Sequence, residues 1–363
     1  MELPSLLKTL SDLPGVSNFE DEVRAYLRTV SEPFADDMKE SPLGSLLVFK
    51  KGAKTPKRPI AVSAGMDEAG FLVTGVGKDG MLRIEAVDEK FPASALFGLR
   101  LKLAGTGLRG VVPAKAIQLT SRAERGKYPE ADDLRMDVGR DTDAETEKLV
   151  RIGDPVVLDA PFHALCGGRV AGKAFENRIP CAQLLALIER KPAYDTWFVF
   201  STRTFIGASG AVSAARILKP GVVIGAGSVQ ALDIPGIPPH RRGACVGGGA
   251  GATIRGGRIF SDRALTRDLL RSFAQKGKAA NLFPENTDSS RLYGFGDGVA
   301  DVKILSIDTP VRHLRTPFET AAAADIEMGV DLLETAIETA GAAFEKDGAA
   351  GGGFDGKELG TDG

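Results

Sequence analysis

Two different hydrophobic rhythms share this chain, and no one layer of structure accommodates both. From Phe71 to about Leu165, short β-type runs follow one another: FLVTGV, MLRIEAV, LRLKLAG, LRGVVPA and DPVVLDA, with Gly, Asp and Pro between them. Short strands at regular spacing, without long helices, predict a small barrel or sandwich. Beyond that stretch the rhythm changes. RVAGKAFE (169–176) reads as a strand, and Asn177 to Glu189 as a helix whose face carries Cys181, Leu184, Leu185 and Ile188. TWFVFS (196–201) is a strand, Ala208 to Leu218 a helix, GVVIGA (221–226) a strand and VKILSI (302–307) a late strand. Alternation of strand and helix predicts a mostly parallel sheet with helices on its faces. The expectation is a discontinuous α/β unit over residues 1–70 and 166–346, interrupted by a β-rich insert over 71–165.

The ends fit that frame. Residues 2–30 read as two short helices around Leu13-Pro14-Gly15-Val16, with Ser17 and Glu20 at capping-box spacing. SLLVFKK (45–51) reads as a strand, followed by a basic turn over 52–57. The closing helix carries Ile326, Val330, Leu333, Ile337, Ala340 and Phe344 at steps of three and four, a core-packing stripe. Residues 347–363 are Gly-rich and acidic and read as a flexible tail. The glycine run 247–251 has neither the strand–GxGxxG–helix setting of a dinucleotide fold nor the Lys-Ser/Thr of a P-loop, so it reads as a tight loop.

The stretch PIAVSAGMDEAGF (59–71) places Gly65-Met66-Asp67-Glu68 where a buried strand leaves the sheet. The carboxyl ends of strands are where sites form in open α/β sheets. A candidate site and a plain turn with solvated acids are both compatible with these residues. Composition narrows the partners. Lys and Arg number 46 against 48 Asp and Glu, for a formal charge of -2, so nothing favours nucleic acid or an anionic membrane. Three scattered cysteines do not make a disulfide framework, and neither a signal pattern nor a membrane-length apolar run is present, so a cytoplasmic setting is expected. The histidines are only three, His163, His240 and His313.

Seven segments in order resemble the tetrahedral, or glutamyl (deblocking), aminopeptidases, a family of cellulase-M-like zinc metallopeptidases. AGMDEAGF resembles the family's A-H-M-D-E-x-G-F, and LPGVSNFEDEVR its P-G-x-S-x-x-E-x-x-V-R. GDPVVLD, RVAGKAFENR, ALDIPGIP, NTDSS and PVRHLRTPFE resemble its G-D-P-V-V, K-A-x-D-N-R, D-x-P-G, T-D-A and P-V-R-Y-x-H-T-P-x-E segments. The resemblance implies a zinc-peptidase-like α/β/α sandwich with a mixed, mostly parallel sheet, interrupted by a small PDZ-like β-barrel used for dimerisation and assembly. It also implies a homo-oligomer, from a dimer up to a tetrahedral dodecamer, and the possibility of co-assembly with an active paralogue.

Carried over residue by residue, the family's two-metal zinc or cobalt site meets other side chains here. The first metal-binding His falls on Gly65, and the acid that orients it is Asp67. The bridging Asp is Glu176, the Glu-Glu pair is Thr204 and Phe205, the next Asp is Gly227, and the last His is Arg315. Asn177, Arg178, Asp288 and His313 remain as binding-cleft candidates. A carboxylate in the Glu-Glu pair takes a proton from metal-bound water, which neither Thr nor Phe can do. The expectation is a non-catalytic homologue acting as a binding, structural or regulatory subunit, with no metal cofactor and with Arg315 paired to Glu176 or Asp67 in place of a cation. The alternative is a metal-dependent aminopeptidase with a non-standard or single-metal site.

Overall fold

In the computed structural model, which describes residues 2–88, 96–122, 134–285 and 290–350, the chain opens with helices α1 (Leu3–Asp12) and α2 (Asp21–Ser31). Strands β1 (Asp37–Glu40), β2 (Leu46–Lys50) and β3 (Ile60–Gly65) follow. The capping box is not formed: α2 starts after Glu20, and Ser17 and Glu20 turn their side chains to Asp67 and to the backbone of Arg203 instead. Long-range partners outbid the local cap.

The next strands are β4 (Phe71–Val76), β5 (Leu82–Ala86), β6 (Arg100–Leu103), β7 (Arg109–Val111) and β8 (Arg135–Met136), then α3 (Asp143–Thr146) and β9 (Pro155–Leu158). They form a six-stranded sheet, β7-β6-β9-β4-β5-β8, antiparallel at every pairing. Its two edges meet where Val111 and Asp137 exchange backbone hydrogen bonds of 2.9 and 2.8 Å. Phe71, Val73, Ile84, Leu101 and Val156 fill a core that belongs to this sheet alone.

Strands β10 (His163–Leu165) and β11 (Arg169–Gly172) lead into α4 (Phe175–Glu189), β12 (Thr196–Ser201), α5 (Ser209–Leu218) and β13 (Val222–Gln230). Then come β14 (Gly251–Gly256), β15 (Ile259–Phe260), α6 (Arg263–Gln275), β16 (Asn281–Glu285), α7 (Ser290–Gly298), β17 (Lys303–Val311), β18 (Glu319–Ala322) and α8 (Ala323–Ala350). The large sheet runs β1-β2-β12-β3-β13-β17-β14-β15, with β16 beside β14; β12, β3, β13 and β17 are parallel, and β10-β11-β18 make a third small sheet. Helix α8 continues through Ala350, past the start expected for the tail, and 351–363 lie outside the described residues, as does most of the charged stretch 121–133. Among the described residues no helix is long and apolar enough to cross a membrane.

Strand alternation builds the layers. In β3, Ile60, Val62 and Ala64 enter the core under α1, α2, α4, α6 and α8, whereas Ala61 enters the smaller core under α5 and α7. Val222 and Ile224 against Val223 in β13 repeat the split. Helix α4 is the centre: every residue from Phe175 to Ile188 is buried. A helix apolar on all sides belongs inside, where each Leu or Ile contributes about 1.5–3 kcal/mol of burial. Pro180 is tolerated because Glu176 and Asn177 are non-helical, which puts it in the first regular turn.

Candidate functional site

The functional side chains converge where β3, the start of α4, the turn after β12 and the turn after β17 come together. Asp67 follows β3 and is fully buried. Ser17 Oγ donates to its Oδ2 at 2.6 Å and Phe205 N at 3.2 Å, while Thr204 Oγ1 and Asn177 Nδ2 (3.2 Å) donate to Oδ1. Burial raises the Asp67 pKa, and these donors oppose the rise. Asn177 has φ of 82°, a left-handed value that Asn adopts more readily than most residues, and so turns its amide into this cluster. There it occupies the space in front of Gly65, where an added Cβ would lie 2.8 Å from the Asn177 amide group.

Behind that cluster lies a buried ion network. Glu68 accepts from Gly15 N at 2.9 Å and from Lys173 Nζ at 2.9 and 2.7 Å, with Arg178 Nη2 at 3.4 Å. Lys173 also donates to Leu13 O at 3.2 Å, and Arg178 Nη1 donates to Met66 O. Arg178 is therefore an internal strut, not a cleft wall. Burial lowers the pKa of Lys173, while the neighbouring Glu68 carboxylate pulls it up.

The cleft itself is centred on Arg315. Its Nε meets Glu176 Oε2 at 3.3 Å, its Nη1 meets Asp88 Oδ2 at 3.1 Å, and its Cζ stands 5.4 Å from the Phe205 ring centroid. Of the two acids offered to it by sequence, Glu176 is in reach; the second arm goes to Asp88, just past β5, and not to Asp67. Glu319, at the start of β18, ties the site together by accepting from Glu176 N at 2.8 Å and Arg315 N at 2.6 Å. Burial pushes its pKa up to about 7. The space left between these groups is about 10 Å³, room for one water at most.

Gly227 lies within β13 opposite Asp308, and His313 is exposed, with φ of 60°. Asp288 lies outside the described residues. Beside the cleft, Val229, Gln230, Leu232, Ala244 and Phe283 line an apolar pocket of about 180 Å³. Gln230 Oε1 accepts from Leu314 N at 3.3 Å, which joins the pocket to the Arg315 turn. Cys181 is no nucleophile: it donates to Gly65 O at 3.1 Å, and burial pushes its thiol up to about 12.

Asp88, Glu319 and Lys173 were not singled out by sequence, and Glu20 was read only as a helix cap. Glu319 and Lys173 sit inside the segments PVRHLRTPFE and RVAGKAFENR, where their position gave a signal; Asp88 follows a strand with none. Glu20 is buried, accepts from Arg203 N at 2.8 Å, and is raised from 4.5 to about 7, first by desolvation and then by the Asp67 charge. A folded-state pKa above the unfolded one means the native state holds the proton more tightly, so the contribution of Glu20 to stability is fully present below pH 4.5 and is lost as pH rises through 7. Glu20→Gln keeps the acceptor and removes the charge. It is expected to stabilise the protein by about 1–2 kcal/mol at pH 8 and to change little at pH 4.5, as read from thermal melts at both.

A model of the M42 glutamyl aminopeptidase family matches residues 44–332. A putative aminopeptidase of Acetivibrio thermocellus is 30% identical over 340 residues, covering 92% of this chain and 97% of that one. Aminopeptidase APDkam598 from the archaeon Desulfurococcus kamchatkensis superposes with a TM-score of 0.87 at 25% identity, over 98% of this chain and 99% of that one. The TET1 peptidase of Pyrococcus horikoshii, which can assemble into a tetrahedron or a large octahedral shell, superposes at 0.79 with 24% identity, over 92% and 98%.

The family match corrects the expectation of no metal cofactor, because M42 aminopeptidases use metal ions, zinc or cobalt. The side chains described at this site do not by themselves fit such an ion pair. Glu176 faces a guanidinium, Asp67 is committed to four donors, and all three histidines are exposed. Among the described residues no three His, Cys, Asp or Glu groups gather as a metal site.

Proposed function

Because the chain belongs to the M42 glutamyl aminopeptidase family, we propose that it works as a binding member of that family, a pseudo-peptidase whose cleft holds a ligand without hydrolysing it. One observation carries the reading: the Arg315 guanidinium stands between Glu176 and Asp88 and over Phe205. Amide hydrolysis needs a base within hydrogen-bond reach of the attacking water. Here Glu176 is already paired, Thr204 donates to Asp67, and Phe205 has no acid–base chemistry. The apolar pocket beside Arg315 suits one aliphatic or aromatic side chain of a short peptide.

The same reading takes the insert over 71–165, with its six-stranded sheet, as a PDZ-like barrel and as the assembly surface. It yields a homo-oligomer, from a dimer to a tetrahedral dodecamer, in the cytoplasm, with co-assembly onto an active paralogue as a further mode. The likeness of fold to a peptidase that forms tetrahedra supports it. Mass measurement of particles formed alone and in mixture tests this part.

A second reading, a metal-dependent aminopeptidase with a non-standard or single-metal site, is supported by the continuity of the family match through residues 44–332. One assay separates the two. Incubated with zinc, cobalt or manganese, the purified protein is expected to leave aminoacyl p-nitroanilides intact while binding a leucine- or phenylalanine-containing dipeptide by calorimetry. Metal-dependent turnover overturns the binding reading and establishes the second.

A further inference from the structure

The loop between β2 and β3 is tied down far more firmly than a connector requires. Asp195 accepts from Gly52 N and from Thr55 Oγ1, each at 2.7 Å. Ala53 N and Lys54 N donate to Pro192 O and Ala193 O at 3.1 Å, and Asp195 N returns a bond to Lys54 O at 2.9 Å. A Cβ on Gly52 would stand 2.2 Å from the carbonyl carbon of Tyr194, so only glycine allows this approach. What the loop displays is charge: Lys51, Lys54, Lys57 and Arg58 are all exposed.

Neighbouring elements extend the same edge. β3, β13 and β17 begin side by side, with Ile60 opposite Val222 and Val222 opposite Lys303, which brings exposed Lys219 to the end of the sheet that carries Arg58. The β14–β15 turn closes at this end too, where Asp262 N donates to Ile304 O at 2.7 Å, and presents Arg258. Two carboxylates answer these cations, Glu345 to Lys54 at 3.1 Å and Asp297 to Arg258 at 2.5 Å; Arg58 is held by the backbone carbonyl of Asp301 at 3.3 Å, and Asp36 accepts from Lys51 N at 2.7 Å. Lys51, Lys57 and Lys219 make no ion pair among the described residues. In a chain of formal charge -2, six exposed cations gather here, Lys51, Lys54, Lys57, Arg58, Lys219 and Arg258, and they outnumber the acids among them. This positive rim lies about 17 Å of strand away from Gly65 and the cleft.

We propose that this rim is a docking surface for an acidic polypeptide segment, a run of Asp and Glu on a partner protein. A positive patch raises the local concentration of an anionic partner and speeds its capture. The Asp195 anchor fixes the loop beforehand, so little ordering is left for the binding step. Protein fits better than nucleic acid because the ring beside the rim cations, Tyr194 with its centroid 5.6 Å from Lys54 Nζ, is buried and offers no open face on which a base could stack. The carboxylates interspersed among the cations, Glu345, Asp297 and Asp36, also favour a partner of mixed side chains over a uniform sheet of phosphates.

The inference is independent of what the cleft does. Anisotropy of a fluorescein-labelled deca-glutamate peptide on the full chain at 50 mM salt is expected to show saturable binding that fades toward about 300 mM. The triple reversal K51E/K57E/K219E, all on exposed positions, is expected to weaken binding by at least about tenfold with an unchanged circular dichroism spectrum. Absence of binding to the wild type, or equal binding by the triple variant, overturns the proposal. Tighter capture of a single-stranded ten-mer oligonucleotide or of phosphatidylserine vesicles than of the peptide overturns the choice of partner.

Discussion

Lys173→Met is expected to destabilise the fold by about 3–5 kcal/mol, measured as a fall in the urea midpoint at unchanged slope. Lys173 and Glu68 are each 2% exposed, so their charges meet almost no water. Removal of the ammonium leaves Glu68 with Gly15 N and the 3.4 Å contact to Arg178. That cannot compensate a carboxylate held in a low-dielectric interior. Lys173 also binds Leu13 O, so the loss reaches the turn that joins α1 to the segment carrying Ser17. The double change K173M/E68Q removes the stranded charge and is expected to recover part of the loss. A single variant within about 1 kcal/mol of the wild type would show that the network is incidental.

Arg315→Ala is expected to cost about 3 kcal/mol for the same class of reason at a different place. The arginine side chain is 10% exposed, and Glu176 and Asp88 are 8% exposed each. Two largely buried carboxylates then lose the guanidinium that both of them meet. Lys at 315 offers one point charge where the guanidinium offers two arms, so R315K is expected to lose less than R315A but more than nothing. R315A/E176Q/D88N is expected to regain most of the loss. Thermal melts of the four proteins check the order; equal melting of R315A and wild type would remove Arg315 from its place as the internal cation of the site.

The layers were legible because their causes are local. Alternation in PIAVSAG and TWFVFS, and the stripe of the last helix from Ile326 to Phe344, were visible without any partner, and all six stripe residues are buried. Strands β14 to β16 and helix α6 escaped; the charges in TIRGGRIF obscure strand alternation, whereas the α6 stripe Leu265, Leu269 and Phe273 was there to be read. The site was legible only in part. Gly65, Glu176, Phe205 and Arg315 could be placed through family segments, but Asp88 could not: its role depends on the six-stranded sheet setting it opposite Arg315. The Ser17–Glu20 spacing pointed to a local cap, yet both side chains are taken by residues 50 and 183 positions away. Sequence spacing ranks local partners first, whereas burial rewards whichever partner is fixed in place.

The fit between Gly65 and Asn177 bears on how this lineage can change. A side chain introduced at 65 meets an amide held by Asp67 and Thr204, so it must first displace three hydrogen bonds. Shortening Asn177 alone, conversely, strips a donor from buried Asp67 and opens a gap beside it. Each single step is expected to be worse than either endpoint, so the two positions form a ratchet: a larger side chain is expected to enter 65 only through a paired substitution. Descendants of this sequence are therefore expected to vary at 65 and 177 together or not at all.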